Sequence, residues 1–311
     1  MTTIAQTLAS LQIGQPVTSS GLTMFPLLQA APGSRNYLLL DEALESGLAD
    51  VTEISEGGSV PELLFLNRSD HDILLVDGEE LVGAKQNRVI NLSIMVGART
   101  QVTIPVSCVE MGRWSWQSKR FSAGKRNLHA SARSAKMRGI SESLERDFSR
   151  ASAEVQSEIW RSVDEKLVHY CIDSGTSALH DLYESTEEQL LPVRSAFTAV
   201  ESQIGTAFAV AGRLIGIDLF DDHTTLAKML PKLVDSYAFD ALEWGVNKDN
   251  GSIAQAAAAD VAKMLEQITQ ASASEYAAVG KGTDLRIRSD RLNAAALVVD
   301  GRVAHFSAFS N

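Results

Sequence analysis

The sequence predicts an α+β protein. A mainly antiparallel β-sheet, sandwich or barrel-like, fills the N-terminal half, and helices cluster in 141–272. Three observations predict it. Residues 20–110 carry short apolar runs with two-residue alternation, separated by turn residues. From Leu144 onward the apolar residues recur every three to four positions. Three segments, ILLVDGEELVGA, FAVAGRLIGID and ALVVDGRVAHFS, look alike, each with a turn signal between apolar runs.

Taken in order, LTMFPLL and NYLLL read as two strands around the turn APGSRN, and DEALESG as a short helix ended by Gly47. VTEIS, ELLFL and ILLV are strands. Asp77-Gly78 predicts a hairpin, because both central residues of a type I′ turn need positive φ. VINLSIMV and QVTIPVSCV continue the sheet around a turn at Gly97-Ala98-Arg99. Leu144, Phe148, Val155, Ile159, Val163 and Leu167 mark an amphipathic helix with a break near Ser152. Shorter helices are expected at 176–184 and 187–201, and a hairpin turning at Gly212. A helix over 224–242 bends or restarts at Pro231. Residues 247–252 read as a loop and 252–270 as a helix. A last hairpin turns at Asp300-Gly301. If the three hairpins are a true repeat, 1–311 is a single intertwined domain. The alternative is a β-rich domain over 1–140 and an α+β domain over 141–311.

Composition is that of an ordinary globular protein, 45% hydrophobic and 22% charged. No run of eighteen apolar residues predicts a membrane span, and the N-terminus does not read as a secretory signal. Cys108 and Cys171 are too few for a disulfide framework, so a cytoplasmic location is expected. Net charge is −11, but its distribution is uneven. Leu81–Ser141 holds eleven Lys or Arg against the single acid Glu110; the rest holds 17 Lys or Arg against 38 Asp or Glu. Three readings of this basic block stand: packing against an acidic surface of this chain or a second copy, a phosphate-type anion site, or disorder over 117–140.

Several chemistries lack their sequence signatures. Gly124-Lys125 and Gly280-Lys281 lack the upstream glycine of a phosphate-binding loop, and no G-x-S-x-G elbow occurs. The six histidines (71, 129, 169, 180, 223, 305) show no metal-ligand spacing, so no metal and no cofactor is expected. Asp221, Asp222 and His223 read as a helix N-cap, and Cys108 as a buried small hydrophobe.

Site candidates gather in GEELVGAKQNR and IPVSCVEMGRW. As a regular strand, Lys85 and Asn87 would share one face and Gln86 and Arg88 the other, unless a bulge at Gly83 re-aims them. Lys85 and Arg88 suit phosphate or carboxylate; Gln86 and Asn91 suit a base or sugar edge. Arg113 beside Trp114 and Trp116 offers a cation and flat aromatic surface, or a plug of the core. Arg133, Lys136 and Arg138 are read as loop residues that could close over an anion. Glu79 and Glu80 point to opposite faces of a strand, so they make no obvious acid–base pair. Glu110, alone among cations, reads first as an ion-pair partner and second as a catalytic acid.

The two runs GEELVGAKQNR and IPVSCVEMGRW, with GRLIGIDLF further on, resemble a bacterial family of largely uncharacterised proteins. That family is named for its association with ADP-ribosylglycohydrolases and rhodanese-phosphatase-superfamily proteins. The resemblance spans about 20–245; its motif positions include Gly78, Gly83, Lys85, Arg88, Glu110, Gly112, Arg113 and Trp114. It implies a place in ADP-ribose or NAD metabolism and carries over no catalytic residue. The leading expectation is a protein that binds a small anionic ligand, ADP-ribose or a related nucleotide. Its site would be Lys85, Gln86, Arg88, Arg113 and Trp114, with Arg133 and Lys136 as lid contacts. The alternatives are a hydrolase on the same compounds using Glu79, Glu80 or Glu110, and an assembly domain joining a second copy or an acidic partner. Nucleic acid ranks last among partners, because the remaining acidic surface repels it, and no membrane partner is expected.

Overall fold

The computed structural model describes residues 3–30, 33–146, 148–246 and 256–311. The chain forms two compact units. One is built from Met1–Arg35, Gln189–Ala277 and Gly282–Asn311, the other from Asn36–Glu188 and Ala278–Lys281.

The first unit opens with α1 (Thr3–Ala9), β1 (Gln12–Ile13), β2 (Val17–Ser19) and β3 (Leu22–Leu28). The chain then enters the second unit. There it forms β4 (Tyr37–Leu39), α2 (Leu40–Glu45), β5 (Ala49–Glu53), β6 (Glu62–Asn67), β7 (Asp72–Leu75) and β8 (Glu79–Gly83). β9 (Arg88–Ile90), β10 (Ile94–Val96), β11 (Gln101–Cys108) and β12 (Phe121–Asn127) follow, then helices α3 (Ala130–Arg146) and α4 (Phe148–His169). Helix α5 (Leu179–Ser195) leads out again. The first unit is completed by β13 (Gln203–Val210), β14 (Arg213–Phe220), α6 (His223–Val246), α7 (Ala258–Gln270), β15 (Ala273–Ala277), β16 (Thr283–Arg288), β17 (Leu292–Val299) and β18 (Arg302–Ser310). This is the α+β architecture the sequence predicts, with all strand pairs among the described residues antiparallel except β4 with β7.

In the first unit one nine-stranded sheet runs β1-β3-β13-β14-β18-β17-β16-β15, with β2 on β3. Alternation decides its two faces. Ala207, Ile217, Phe306 and Ala308 join Ile4 and Leu8 of α1 and Val261, Met264 and Ile268 of α7 in one apolar core. The neighbouring residues turn to α6, where Tyr237 stacks on Phe208 at 4.4 Å and donates to Asp218. The hairpins expected at Gly212 and Asp300-Gly301 form, with Ala211, Gly212, Asp300 and Gly301 all at positive φ. Asp222 caps α6 as expected, accepting the N–H groups of Thr224 and Thr225. Pro231 lies inside an unbroken α6. Sequence reading placed no element at α1, β1, β2, β15 or β16.

The second unit holds a three-stranded sheet, β10-β7-β4, and a six-stranded sheet, β12-β8-β9-β11-β6-β5. Several expected pairings are corrected here. Asp77-Gly78 does not close a hairpin: β7 and β8 belong to different sheets, and Gly78 (φ +89°) is the crossing point. Its N–H donates to Ile90 and its carbonyl accepts from Leu128. Positive φ is found at Gly78 but not at Asp77, and the strand partner was not legible. VINLSIMV likewise splits into β9 and β10, and the turn at Arg99 joins strands of different sheets. LTMFPLL and NYLLL lie in different units.

The stretch 117–140, read as a loop that could disorder, is instead β12 followed by the start of α3. Phe121, Gly124 and Asn127 are buried while Ser122 and Lys125 are exposed, so the strand carries its pattern in few apolar residues. His129 starts the helix, its Nδ1 accepting the Ala132 N–H. α4 runs through Ser152 without the expected break, and a single helix, Leu179–Ser195, which accommodates Pro192, stands where two were expected over 176–184 and 187–201. The loop expected at 247–252 lies outside the described residues. Among the described residues no helix is long and apolar enough to cross a membrane.

The six-stranded sheet curls until its edge strands β12 and β5 meet, and Arg120, just before β12, reaches Asp50 of β5 at 2.7 Å. Cross-strand partners share a face, so Val51 and Phe65, Glu53, Leu63 and Ile104, and Cys108, Arg88, Leu81 and Ala123 line the inside of the curl. Glu80 and Val89 face outward, toward the helices.

Candidate functional site at the mouth of the curled sheet

GEELVGAKQNR is a hairpin, which corrects the regular-strand reading. β8 ends at Gly83, β9 begins at Arg88, and Ala84, Lys85, Gln86 and Asn87 form the connection. Gly83 (φ +127°) and Ala84 (φ +43°) make the bend. A Cβ on Gly83 would sit 2.5 Å from Ser118 Oγ and 3.0 Å from the Arg120 carbonyl, so only glycine fits.

Arg113 holds this loop from outside. Its Nε and Nη2 take both Glu110 oxygens at 2.8 and 2.6 Å, and its remaining bonds go to the carbonyls of Gly83, Ala84 and Ser115 and to Asn87 Oδ1. Glu110 also accepts the Asn87 N–H and the Thr176 hydroxyl. Burial acts to raise the Glu110 pKa, but these donors outweigh it and hold the carboxyl below its ordinary value. Both side chains are occupied in bracing the loop. Gln86 is similarly spent, donating to the Glu110 carbonyl and accepting from Arg88 Nη1.

Arg88 differs. It has no exposed surface, and its Nη1 bonds Gln86 Oε1 at 2.9 Å and reaches the Asn87 carbonyl at 3.4 Å. Its Nε and Nη2 have no hydrogen-bond partner among the described residues. Burial lowers its pKa, partly offset by Glu53 and Glu110, and a guanidinium remains charged regardless. Cys108 opposite is fully buried, and burial pushes its thiol up, so it is a thiol rather than a counter-ion. The Trp114 ring lies over the guanidinium at 5.7 Å. Lys85 Nζ bonds the Gly57 carbonyl and sits 5.3 and 5.2 Å from the Trp114 and Trp116 rings. Both indoles are about half exposed, at 47% and 50%. They belong to the segment between β11 and β12, which caps Arg88.

Glu53, the last residue of β5, was not singled out from sequence. It is buried; its Oε1 meets the Lys85 N–H only at 3.4 Å, and Oε2 has no partner among the described residues. It lines an open cleft of about 860 Å³ with Thr52, Ser55, Trp116, Ser118 and Lys119. The one signal available was an acid at an inward position of an otherwise apolar strand pattern.

The other candidates stand apart. Lys136 pairs with Asp77 and donates to the Ile90 and Asn91 carbonyls at 3.2 and 3.1 Å. Arg133 is buried on the same helix with its stem against Gly78. Neither lies in a loop: both are on α3, whose small and polar composition resembles one. Arg138 pairs with Glu158. Glu79 accepts the Val76 N–H. Glu80, on the outer face, is buried with both oxygens lacking hydrogen bonds among the described residues, and His180 Nδ1 is 3.9 Å away. Among the described residues no group of three His, Cys, Asp or Glu is placed to hold a metal ion.

No curated protein and no solved structure matches the chain. The model of the ARG and Rhodanese-Phosphatase-superfamily-associated Protein domain matches residues 10–309, nearly the whole length. The loop that Arg113 braces and the arginine it covers are therefore features of a member of that family, to which this chain belongs.

Proposed function

We propose that the protein binds a small anionic ligand of the ADP-ribose or nucleotide class at the mouth of the curled sheet. The observation that carries this reading is Arg88, a fully buried guanidinium with two donors unspent. A buried unpaired charge costs several kcal/mol, and folds rarely keep one without use. Nε and Nη2 form one edge of the guanidinium, the geometry that takes a phosphate or carboxylate with two parallel bonds. Lys85 adds a second cation nearby, and the half-exposed Trp114 and Trp116 offer faces on which a base can stack. Barrel mouths are recurrent ligand sites. The ligand enters when the Trp114–Lys85 cap moves aside. The family's association with ADP-ribosylglycohydrolases agrees with this class of compound.

A thermal-shift screen at low salt with ADP-ribose, NAD, AMP, phosphate and sulfate tests the reading. A ligand present at about 100 times its Kd stabilises by roughly 2.7 kcal/mol. A selective shift with the nucleotides supports the proposal. Equal shifts with every anion would reduce the site to a generic basic patch, and no shift would remove it.

A further inference from the structure

The same mouth carries an acceptor as well as donors. Glu53 ends β5 on the inner face of the curl, in one cross-strand row with Leu63 and Ile104, while Arg88 lies in the row of Cys108 and Leu81. Each has an ionisable side chain, is at least nine-tenths buried and, among the described residues, is left with unspent atoms: Oε2 on Glu53, Nε and Nη2 on Arg88. The two attract one another, and Glu53 supports the Arg88 charge, yet they form no ion pair. Direct pairing would have been the cheapest way to satisfy both. The fold instead leaves them unpaired, with Glu53 lining an open cleft and Arg88 buried under Trp114.

From this we infer that Glu53 selects a ligand bearing hydroxyl donors beside its anionic group, a sugar phosphate or a nucleotide with an intact ribose diol. The inference rests on the reading of Arg88 as the anion anchor. A bare anion would satisfy Arg88 but meet the Glu53 carboxylate as a like charge. A phosphorylated sugar places phosphate oxygens on the guanidinium edge and two hydroxyls within reach of one carboxylate. A carboxylate accepts both hydroxyl protons and donates none, so it matches a diol and rejects a second anion. Sites built to bond a hydroxyl discriminate strongly against analogues lacking it, because the buried partner is left unpaired.

The test is calorimetric titration of the full chain with AMP and with 2′,3′-dideoxy-AMP, which differ only in the diol, using wild type, Glu53→Gln and Arg88→Met. The expected result is about tenfold or greater preference of wild type for AMP, by the strength of a buried hydrogen bond to a charged group. In Glu53→Gln the preference should collapse while 2′,3′-dideoxy-AMP binds at least as well as before. Unliganded melting curves confirm that each variant is folded. Equal binding of both compounds to wild type, lost in Arg88→Met, would overturn the role of Glu53 and leave the anion site standing. Binding of neither compound to wild type would overturn both. A preference unchanged in Glu53→Gln would assign the diol to another group and overturn the inference.

Discussion

Gln156 holds both backbone groups of Cys108. Its Oε1 accepts the Cys108 N–H at 2.7 Å, and its Nε2 donates to the Cys108 carbonyl at 2.8 Å. An α4 side chain thereby completes the end of β11 as a strand would, at the residue paired with Arg88. The buried arginine is thus positioned by an amide from α4, far along the chain from β9. Gln156→Ala should cost about 2 to 4 kcal/mol, because two buried backbone groups lose their partners. Urea unfolding would check it. A change under half a kilocalorie per mole would mean that water or a neighbour replaces the amide.

Arg113 and Glu110 make the loop, and each depends on the other. Arg113→Lys keeps the charge but loses the planar fork, so it should destabilise by about 2 kcal/mol or more, unlike a surface exchange. The pH dependence follows in sign. The folded-state pKa of Glu110 is depressed, so its contribution is complete above the ordinary carboxylate range and is lost as pH falls through the lowered value. Glu110→Gln should therefore be less stable than wild type at neutral pH and converge with it in acid. Parallel stability curves across the acid limb would refute this assignment.

His180 works in the opposite sense. The Glu80 carboxylate 3.9 Å away raises its pKa, with smaller support from Glu184 and Asp181 against the effect of burial. A raised folded-state pKa gives stability that is complete below the ordinary histidine value and is lost as pH rises through the raised one. Wild type should lose stability relative to His180→Gln between mildly acidic and mildly alkaline pH. Because His180 is partly exposed, the effect is small and screened by salt. Denaturant midpoints measured at both ends of that range decide it: an unchanged difference would show that the pair is not coupled.

Trp114 and Trp116 report on the cap. If the indoles receive a base, saturating ADP-ribose should quench their emission, and Trp114→Phe should retain binding while Trp114→Ala weakens it several-fold, given about 1 to 3 kcal/mol per stacked base. Unaltered affinity in Trp114→Ala would move the ligand away from the cap.

Much of this was legible in the sequence, and the pattern of failure is physical. Turn chemistry at Gly212 and Asp300-Gly301, the Asp222 cap and the Glu110–Arg113 pair are local relations, set within a few residues. Gly78 has positive φ as its turn signal required, but Asp77 does not, and which strand its neighbours pair with depends on segments far along the chain. Residues 117–140 misled because Lys136 and Arg133 are buried through pairing and packing rather than by apolarity. Glu53 was invisible for the same reason: its environment is assembled from β5, the Lys85 loop and the segment carrying Trp116.

The central claim is that Arg88 is kept buried and underbonded for a ligand. Arg88→Met tests it most directly, with unfolding free energy and ADP-ribose affinity measured on the same preparation. Replacing an unpaired buried charge by an apolar chain of similar length should leave stability equal or higher, while binding is lost. A variant several kcal/mol less stable than wild type, or one that binds ADP-ribose with undiminished affinity, would contradict the account.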